Sequence, residues 1–391
     1  MKKRLLWIVL DSVGAGEMPD AAEYGDAGAS TLAHIHEEVG LRMPFMRMLG
    51  LGNIGSTGLP PVPHPSGAYG RALERSKGKD TTTGHWEMAG VTLNQAFPTF
   101  PDGFPEEVID RFEQAIGTKV IGNKPASGTV ILDELGEEQL RTGYPIVYTS
   151  GDSVFQIATN EEIIPLERLY ELCEIARAQL QGRYGVGRVI ARPFRGRKAG
   201  QFFRTPHRRD FSLEPTGTTV LDVLKAAGKD VLGVGKIEDI FAHRGLTDSI
   251  HAAGNPDCIQ ATLSYMKRDF DGICYVNLVD FDSTYGHRRD VKGYADALEY
   301  FDEKLPEMMR LMNDEDLLII TADHGCDPTF KGTDHTREYV PIICWSRSLN
   351  TEVNLGVRST YADMAATIAE FFGLEERFGA TSFLPELMGG R

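Results

Sequence analysis

The stretch YVNLVDFDSTYGH, residues 275–287, runs from a short apolar segment into a polar one that holds two aspartates and a histidine. Two other apolar runs, Leu5–Leu10 and Leu317–Thr321, also stop just before an aspartate. Val231–Val234 and Tyr339–Trp345 are further runs of this kind. Apolar runs of about four to eight residues are typical of strands that are buried on both faces of a parallel sheet.

Helical patterns lie between these runs, at Thr218–Ala227, Gly293–Met312 and Thr360–Phe372. We expect Pro306 to kink or split the second of these helices, because proline lacks the backbone N–H that a helix needs. Alternating strands and helices indicate an α/β fold, in which helices flank a central, mostly parallel sheet.

The pattern changes between residues 96 and 216, which are rich in proline and glycine. The candidate strands of this part alternate between apolar and polar residues instead of being uniformly apolar. We therefore predict a smaller α+β cap domain, 96–216, inserted into a core domain that consists of 1–95 and 217–391. Its predicted strands and helices are Tyr144–Ser150, Val154–Thr159, Val186–Phe194, Pro105–Ile116 and Pro165–Leu180.

Charge and cysteine content limit the classes of partner and compartment. The chain has 391 residues, with 41 basic against 56 acidic side chains and a formal net charge of −15. Such a charge opposes binding to nucleic acid and to anionic membranes, so we expect neither partner. The five cysteines are scattered and contain no CxxC pair, which favours a reducing, cytoplasmic location.

Acidic and imidazole side chains follow three of the predicted strands, where open α/β sheets bind their ligands. A single aspartate or histidine is more often a surface or capping residue than a ligand. Three of each at strand ends instead favour a metal centre, and six ligands exceed the needs of one tetrahedral site, so we predict two metal ions. The six side chains are Asp11, Asp282, His287, Asp323, His324 and His335.

The spacing of these residues predicts local structure. Asp323 and His324 are neighbours, so both can reach one cluster only if the strand has ended before them. Asp282 and His287 are spaced poorly for one face of an α-helix, and we expect Gly286 to lie in a loop that returns the histidine to the cluster. Cys326 is expected to be a buried neighbour of the site and not a ligand.

The segment SKGKDTTTGHWE, residues 76–87, offers a possible nucleophile. Threonine is a weak nucleophile by itself, but a metal ion can activate it. We predict that Gly84 allows a tight turn that presents the threonine hydroxyls. An ST-turn or a helix cap without catalytic function is the alternative that the residues leave open.

Four long segments resemble the signature segments of the phosphopentomutases, a family of the alkaline phosphatase superfamily. Its members interconvert ribose (or deoxyribose) 1-phosphate and 5-phosphate. The resemblance implies an alkaline-phosphatase-like core with an inserted cap, and pentose phosphates as substrates. The segments are IVLDSVGAGEMPDA (8–21), KGKDTTTGHWE (77–87), VNLVDFDSTYGHRRD (276–290) and TADHGCDPTFKGTDHTREYVP (321–341).

This resemblance also implies roles for the metal-binding candidates. Thr81 would carry the phosphoryl group, with Thr82 and Thr83 as alternatives. Similar enzymes use Mn²⁺, although aspartate and histidine ligands also suit Zn²⁺. One metal ion would be held by Asp282, His287 and His335, and the second by Asp11, Asp323 and His324 together with Thr81.

The substrate-binding residues are likewise implied by the resemblance. Ser150 and Asp152 would contact the ribose, and Arg188, Arg204 and Lys236 would bind phosphate. Glucose 1,6-bisphosphate or ribose 1,5-bisphosphate would act as the activator that phosphorylates the enzyme. Two other functions stay open: another phosphomonoesterase or mutase of the superfamily, or a non-catalytic protein that binds a metal or a sugar phosphate. The oligomeric state is not predicted.

Overall fold

Fourteen strands form within residues 2–348 and 352–389, which are the residues that the computed structural model describes. Numbered in chain order, they are β1 (Arg4–Leu10), β2 (Ala68–Ala72), β3 (Ile121–Pro125), β4 (Ile146–Thr149), β5 (Val154–Asn160), β6 (Arg188–Arg195), β7 (Phe203–Arg204), β8 (Arg209–Ser212), β9 (Asp230–Val234), β10 (Asp248–Ile250), β11 (Gly272–Leu278), β12 (Leu317–Thr321), β13 (Val340–Trp345) and β14 (Asn354–Arg358).

Twelve α-helices accompany these strands in the same described ranges, together with one π-helix at Phe281–Gly286 and short 3-10 turns. The α-helices are α1 (Thr31–Val39), α2 (Pro44–Leu49), α3 (Thr81–Met88), α4 (Glu106–Ile116), α5 (Val130–Thr142), α6 (Leu166–Gln179), α7 (Val220–Ala226), α8 (Ile237–Ile240), α9 (Asn255–Met266), α10 (Val291–Arg310), α11 (Ala362–Phe371) and α12 (Leu384–Leu387). None of them, in the part of the chain that is described, combines the length and apolar character that a membrane crossing requires.

The chain divides into two compact units, Met1–Ala96 with Pro215–Arg391, and Phe97–Glu214. The first unit contains an eight-stranded sheet in the order β10-β9-β11-β1-β12-β13-β2-β14. Only β13 runs antiparallel to its two neighbours, so the sheet is mostly parallel, as predicted. The functional roles of core and cap that we assigned to the two parts stay predictions.

Burial explains why the central strands read as uniformly apolar. Every residue of β1, β11 and β12 is buried, since side chains on both faces are covered. A fully buried leucine or isoleucine contributes roughly 1.5–3 kcal/mol, so these three strands supply much of the driving force for folding. The antiparallel β13 is almost as apolar, because it too lies inside the sheet. An apolar run therefore indicated burial and not strand direction.

Helix α10 corrects one expectation. Pro306 lies inside this helix but does not split it, and the helix continues to Arg310. Phe301, Leu305 and Met308 are buried on both sides of the proline. Packing of this apolar face outweighs the roughly 3 kcal/mol that an internal proline costs.

The second unit contains a six-stranded mixed sheet in the order β3-β4-β5-β6-β7, with β8 also paired to β6. We expected alternating burial here, but β4 and β5 are buried along their whole length. Residues of α4 and α6 pack on one face of these strands, around Phe155 and Ile157. Helix α5, which the sequence patterns did not reveal, packs against Tyr148 and Ala158.

Candidate metal centre and active site

Three neighbouring strands of the large sheet deliver the candidate ligands to one edge. In the order β11-β1-β12, each parallel strand ends just before polar residues. Asp11 follows β1, and Asp323 and His324 follow β12, which has ended at Thr321. Because the strand ends first, both of these adjacent side chains can turn toward the same cluster.

The first group of ligand atoms is wholly buried. His324 Nε2 lies 3.4 Å from Asp11 Oδ1 and 3.4 Å from Asp323 Oδ2. His324 Nδ1 lies 3.0 Å from the carbonyl oxygen of Gly325, a geometry in which Nδ1–H donates. This hydrogen bond leaves the lone pair of Nε2 facing the two carboxylates, which is how a metal-binding imidazole is usually oriented.

A second group surrounds Asp282. Its Oδ2 is 3.3 Å from His287 Nε2, and its Oδ1 is 3.3 Å from His335 Nε2. The two imidazole nitrogens are 3.1 Å apart. His287 Nδ1 is fixed by the carbonyl oxygen of Thr333 at 2.6 Å, so its Nε2 also points into the group. The structure thus brings all six predicted residues together in two adjoining clusters.

The link between Asp282 and His287 differs from the predicted loop. Phe281–Gly286 is a π-helix, and the amide of His287 donates to the carbonyl oxygen of Asp282 at 3.1 Å. Five residues make one hydrogen-bonded turn of a π-helix, so a spacing that is poor for an α-helix places both side chains together. Gly286 fits this turn because a Cβ atom there would lie 2.8 Å from Cys326 Sγ.

Buried oxygens without partners show that this cluster suits cations. Among the described residues, Asp11 Oδ1, Asp282 Oδ1 and Asp323 Oδ2 are buried and accept no hydrogen bond. Leaving a buried carboxylate oxygen unsatisfied is costly, and a bound divalent ion removes that cost. Three carboxylates and three imidazoles are a donor set that suits Mn²⁺ and Zn²⁺ alike.

The pKa values of the carboxyl and imidazole groups also show that the cluster has too little positive charge. Burial, and then the charge of Asp323, raise the pKa of Asp11. Burial alone would raise the pKa of Asp282, but His335 and His287 lower it well below its ordinary value. In return, the hydrogen bond to Asp282 raises the pKa of His287 to about 9. Protons on the imidazoles thus supply charge that a metal ion could supply instead.

Thr81 lies beside the first group, at the beginning of α3. Its Oγ1 is 3.3 Å from His324 Nε2. Asp80 caps the helix by accepting hydrogen bonds from the amide and the hydroxyl of Thr83, at 3.1 and 2.5 Å. The predicted tight turn is therefore wrong: the threonines form the first turn of a helix, and Thr83 is engaged by the cap.

Comparisons with known proteins show the family of this chain. A family model described as the metalloenzyme superfamily matches residues 3–376. The phosphopentomutase of Caldanaerobacter subterraneus subsp. tengcongensis is 60% identical over 388 residues, covering 99% of this chain and 98% of that relative. The phosphopentomutase of Carboxydothermus hydrogenoformans is 57% identical over 379 residues, covering 96% and 97%. The chain belongs to the phosphopentomutase family.

A solved structure supports the fold at much lower identity. The phosphoglycerate mutase of Leishmania mexicana, crystallised at low cobalt concentration, has a TM-score of 0.50 and 12% identity, covering 98% of this chain and 97% of that one. At this identity the likeness concerns the fold alone. The expected α/β core of the alkaline phosphatase superfamily is confirmed, and as a family member the chain is an enzyme of the isomerase class.

The sequence patterns missed two buried polar residues beside the site of this phosphopentomutase family member. His85, on α3, has its Nδ1 2.8 Å from the carbonyl oxygen of Thr81 and 3.1 Å from Asp323 Oδ2. Asn277, inside the apolar strand β11, donates from Nδ2 to Asp11 Oδ2 at 2.9 Å. Asn277 was hidden in a strand, but the spacing of four between Thr81 and His85 was a usable helical signal.

Four of the five candidate substrate-binding residues lie in the second unit. The amide of Asp152 donates to Ser150 Oγ at 3.3 Å, and Asp152 Oδ2 is 4.0 Å from an Arg188 nitrogen. Arg204 is exposed on β7. Lys236 belongs to the first unit, where it directly precedes α8. Ser150, Asp152 and Arg188 are therefore neighbours within the second unit, which also contains Arg204.

A basic face on the second unit includes Arg192, an arginine that no sequence pattern indicated. Arg192 lies four residues after Arg188 on β6, so both side chains point to the same face of the sheet. Arg188 and Arg208 both pair with Asp210, at 3.3 and 2.8 Å. Among the described residues, Arg192 instead forms a single hydrogen bond, from Nε to Gln156 Oε1 at 3.0 Å.

Cys326 is a buried neighbour of the second group, as the sequence suggested. One ligand atom each from Asp282, His287 and Cys326 lies within 4.8 Å of the others. Burial, and then the charge of Asp282, raise the pKa of the Cys326 thiol far above its usual range. A protonated thiol is a poor ligand for Mn²⁺ or Mg²⁺.

Proposed function

We propose that this enzyme interconverts ribose (or 2-deoxyribose) 1-phosphate and 5-phosphate through a phosphothreonine at position 81. One observation carries the proposal: the Thr81 hydroxyl lies 3.3 Å from His324 Nε2, at the edge of a buried cluster with three unpaired carboxylate oxygens. Membership in the phosphopentomutase family supplies the substrate class.

Two divalent metal ions would be held by the two groups, one by Asp282, His287 and His335, and the other by Asp11, Asp323, His324 and Thr81. When bound, such ions neutralise phosphoryl charge and activate a threonine hydroxyl. The unpaired oxygens and the orientation of His287 and His324 support this assignment. Mn²⁺ is the ion that we propose for both positions.

The chain itself would position the reacting groups. Thr81 is the first residue of an eight-residue helix, whose N-terminus favours a negatively charged group. In the first transfer, the bond between phosphorus and the Thr81 oxygen breaks, and a bond to the free sugar hydroxyl forms, while the hydroxyl proton ends on Thr81. The second transfer reverses these changes with the other phosphate of the pentose bisphosphate.

Phosphate recognition would use the arginines of the second unit together with Lys236. Arg188 and Arg204 are the predicted contacts, and Ser150 and Asp152 would contact the ribose. Arg offers paired donors that match phosphate oxygens. Glucose 1,6-bisphosphate or ribose 1,5-bisphosphate would phosphorylate Thr81 before the first turnover. We also propose a cytoplasmic location, which five buried free cysteines support.

The proposal is tested by phosphorus NMR of the purified enzyme with ribose 1-phosphate, Mn²⁺ and the bisphosphate activator. We expect the signal of ribose 5-phosphate to grow without inorganic phosphate. The Thr81→Ala variant should lose at least about 1,000-fold in kcat, because it cannot form the covalent intermediate. Thr82→Ala is the matched control and should keep most of the activity. Stoichiometric release of inorganic phosphate would instead identify a phosphomonoesterase.

A further inference from the structure

His85 is a completely buried histidine that none of the proposed ligand or substrate roles uses. It lies one helical turn after Thr81, on the same side of α3. Its Nδ1 is 2.8 Å from the carbonyl oxygen of Thr81 and 3.1 Å from Asp323 Oδ2. On its other side, Nε2 is 3.4 Å from Asn277 Nδ2. One ring thus contacts the backbone of the nucleophile and a candidate metal ligand.

The surroundings determine which nitrogen of His85 carries the proton. Asn277 must turn its amide nitrogen toward the carboxylate of Asp11, to which it donates at 2.9 Å. The same amide nitrogen faces His85 Nε2, which therefore accepts and carries no proton. The proton is on Nδ1, which donates it to the Thr81 carbonyl oxygen, and Asp323 Oδ2 lies 3.1 Å from the same nitrogen.

Close packing gives this hydrogen bond little freedom. A Cβ atom at Gly84 would lie 2.1 Å from the carbonyl oxygen of Asp323, so the helix backbone touches the segment that carries this carboxylate. The His85 ring also packs against the buried Tyr275, with ring centroids 5.9 Å apart. A donor held by packing on both sides can fix the position of the group that accepts from it.

We propose that His85 is a positioning residue: its Nδ1–H holds the Thr81 carbonyl oxygen by a hydrogen bond beside the Asp323 carboxylate, while Nε2 orients Asn277 toward Asp11. In this role His85 touches neither substrate nor metal. It acts through Thr81, Asp323 and, by way of Asn277, Asp11, which contact the metal ion or the phosphoryl group in the proposed function. The inference rests on the proposed function only for the predicted changes in kcat. Its metal-binding part concerns the two carboxylates and can be tested separately.

Two isosteric substitutions separate this role from simple filling of space. In His85→Asn, the side-chain amide nitrogen can occupy the place of Nδ1 and keep the donor toward Thr81 and Asp323. In His85→Gln, the amide reaches the place of Nε2, so the contact with Asn277 survives but the donor near Thr81 is lost. Gln is one methylene longer than Asn and closer in size to His, so a space-filling role predicts that His85→Asn is the more damaging variant, which is the opposite of the order that the positioning role predicts.

The first measurement is steady-state kinetics of both variants with ribose 1-phosphate, Mn²⁺ and the activator. We expect His85→Gln to lose roughly 10- to 100-fold in kcat, as is usual when a residue that orients a metal ligand is replaced. KM should stay within about twofold of the wild type, because substrate contacts are unchanged. His85→Asn should keep kcat within about fivefold. His36→Asn, on α1, is the control and should match the wild type.

The second measurement is calorimetric titration of the metal-free proteins with Mn²⁺, which needs no substrate. We expect one of two binding events to weaken about tenfold in His85→Gln and to be nearly unchanged in His85→Asn. Equal affinities and equal kcat values in the two variants would overturn the proposal. If neither His85 variant folds, Asn277→Ala replaces them: weaker Mn²⁺ binding is expected, and unchanged binding overturns the inference. A wild type that binds two ions without isomerising pentose phosphates refutes the proposed function but not this one.

Discussion

The candidate metal centre and the basic face of the second unit are opposite in charge, and each contains charged groups that lack a partner of the opposite charge. In the metal centre, Asp11 and Asp323 are fully buried, and each keeps an oxygen without a hydrogen-bond partner among the described residues. On the basic face, Asp210 partly neutralises Arg188 and Arg208, whereas no carboxylate of the described chain lies within ion-pair distance of Arg192. The metal centre therefore keeps carboxylate oxygens without a donor, and the basic face keeps one arginine without a carboxylate partner.

This difference explains how a chain with a net charge of −15 can handle phosphate. The acidic centre would attract phosphoryl groups only after cations have been added to it. The arginines would attract phosphate directly, because guanidinium groups are charged at neutral pH and form paired hydrogen bonds. In the proposed function, the metal centre would serve phosphoryl transfer and the arginines would serve phosphate recognition. The following predictions test that division.

Among these tests, the largest effect is expected from removing a charge from the metal centre. Asp282→Asn leaves His287 and His335 without the carboxylate that joins them, so we expect loss of one Mn²⁺ and a fall in kcat of at least about 100-fold. Metal content by mass spectrometry and steady-state kinetics measure these two effects. Asp269→Asn, an exposed residue paired with Lys2, is the control and should change neither. Full Mn²⁺ content in Asp282→Asn would contradict the assignment.

Gly84→Ala tests the packing of the nucleophile helix against the metal centre. The added Cβ would lie 2.1 Å from the carbonyl oxygen of Asp323, so α3 must shift and carry Thr81 with it. We expect kcat to fall roughly 10- to 100-fold, because such displacements misalign reacting groups. The free energy of unfolding should fall by about 1–3 kcal/mol. Gly55→Ala, where no atom lies within 4 Å of the new Cβ, should behave like the wild type.

On the basic face, Arg192→Met removes the guanidinium that lacks a carboxylate partner. Burial, and next the charge of Arg208, lower the pKa of Arg192 to about 10, so a phosphate there would relieve electrostatic strain. We expect KM for ribose 1-phosphate to rise roughly tenfold, about 1.4 kcal/mol, with a smaller change in kcat. Arg197→Met removes an exposed arginine of the same unit and is the control. A loss confined to kcat would place Arg192 outside phosphate binding.

The last prediction concerns the pH dependence of metal binding. Because Asp282 raises the pKa of His287 to about 9, this imidazole is protonated at neutral pH in the metal-free enzyme and must lose its proton to bind a metal ion. Mn²⁺ affinity should therefore rise by up to about tenfold per pH unit below pH 9 and level off above it. Calorimetry in buffers of different ionisation enthalpy measures the proton release. An affinity that is constant between pH 7 and 9 would contradict this coupling.

Much of the fold could be predicted because strands that are buried on both faces have uniformly apolar sequences. β1, β11 and β12 are apolar throughout since both of their faces are covered, and their ends mark the candidate ligands. The π-helix at Phe281–Gly286 could not be predicted, because π turns are rare and occur mostly as single turns. The antiparallel direction of β13 could not be predicted either, because its sequence is as apolar as that of the parallel strands.

Some site residues could be predicted from the sequence and others could not, for similar reasons. Asp11 and Asp323 were found because charged residues are conspicuous at the end of an apolar strand. Asn277 was missed because it lies inside such a strand, and its only signal was a polar residue among apolar ones. Arg192 was missed because its significance lies in the absence of a nearby carboxylate, which depends on packing in three dimensions.

The central claim is that Thr81 carries the phosphoryl group beside the metal centre. The most direct test is peptide mass spectrometry of the enzyme after incubation with Mn²⁺ and glucose 1,6-bisphosphate, followed by addition of ribose 5-phosphate. We expect one phosphoryl group on Thr81 after the first step, and its loss together with formation of a pentose bisphosphate after the second. Phosphorylation of Thr82 or Thr83 instead, or a phosphothreonine that ribose 5-phosphate does not discharge, would contradict the account.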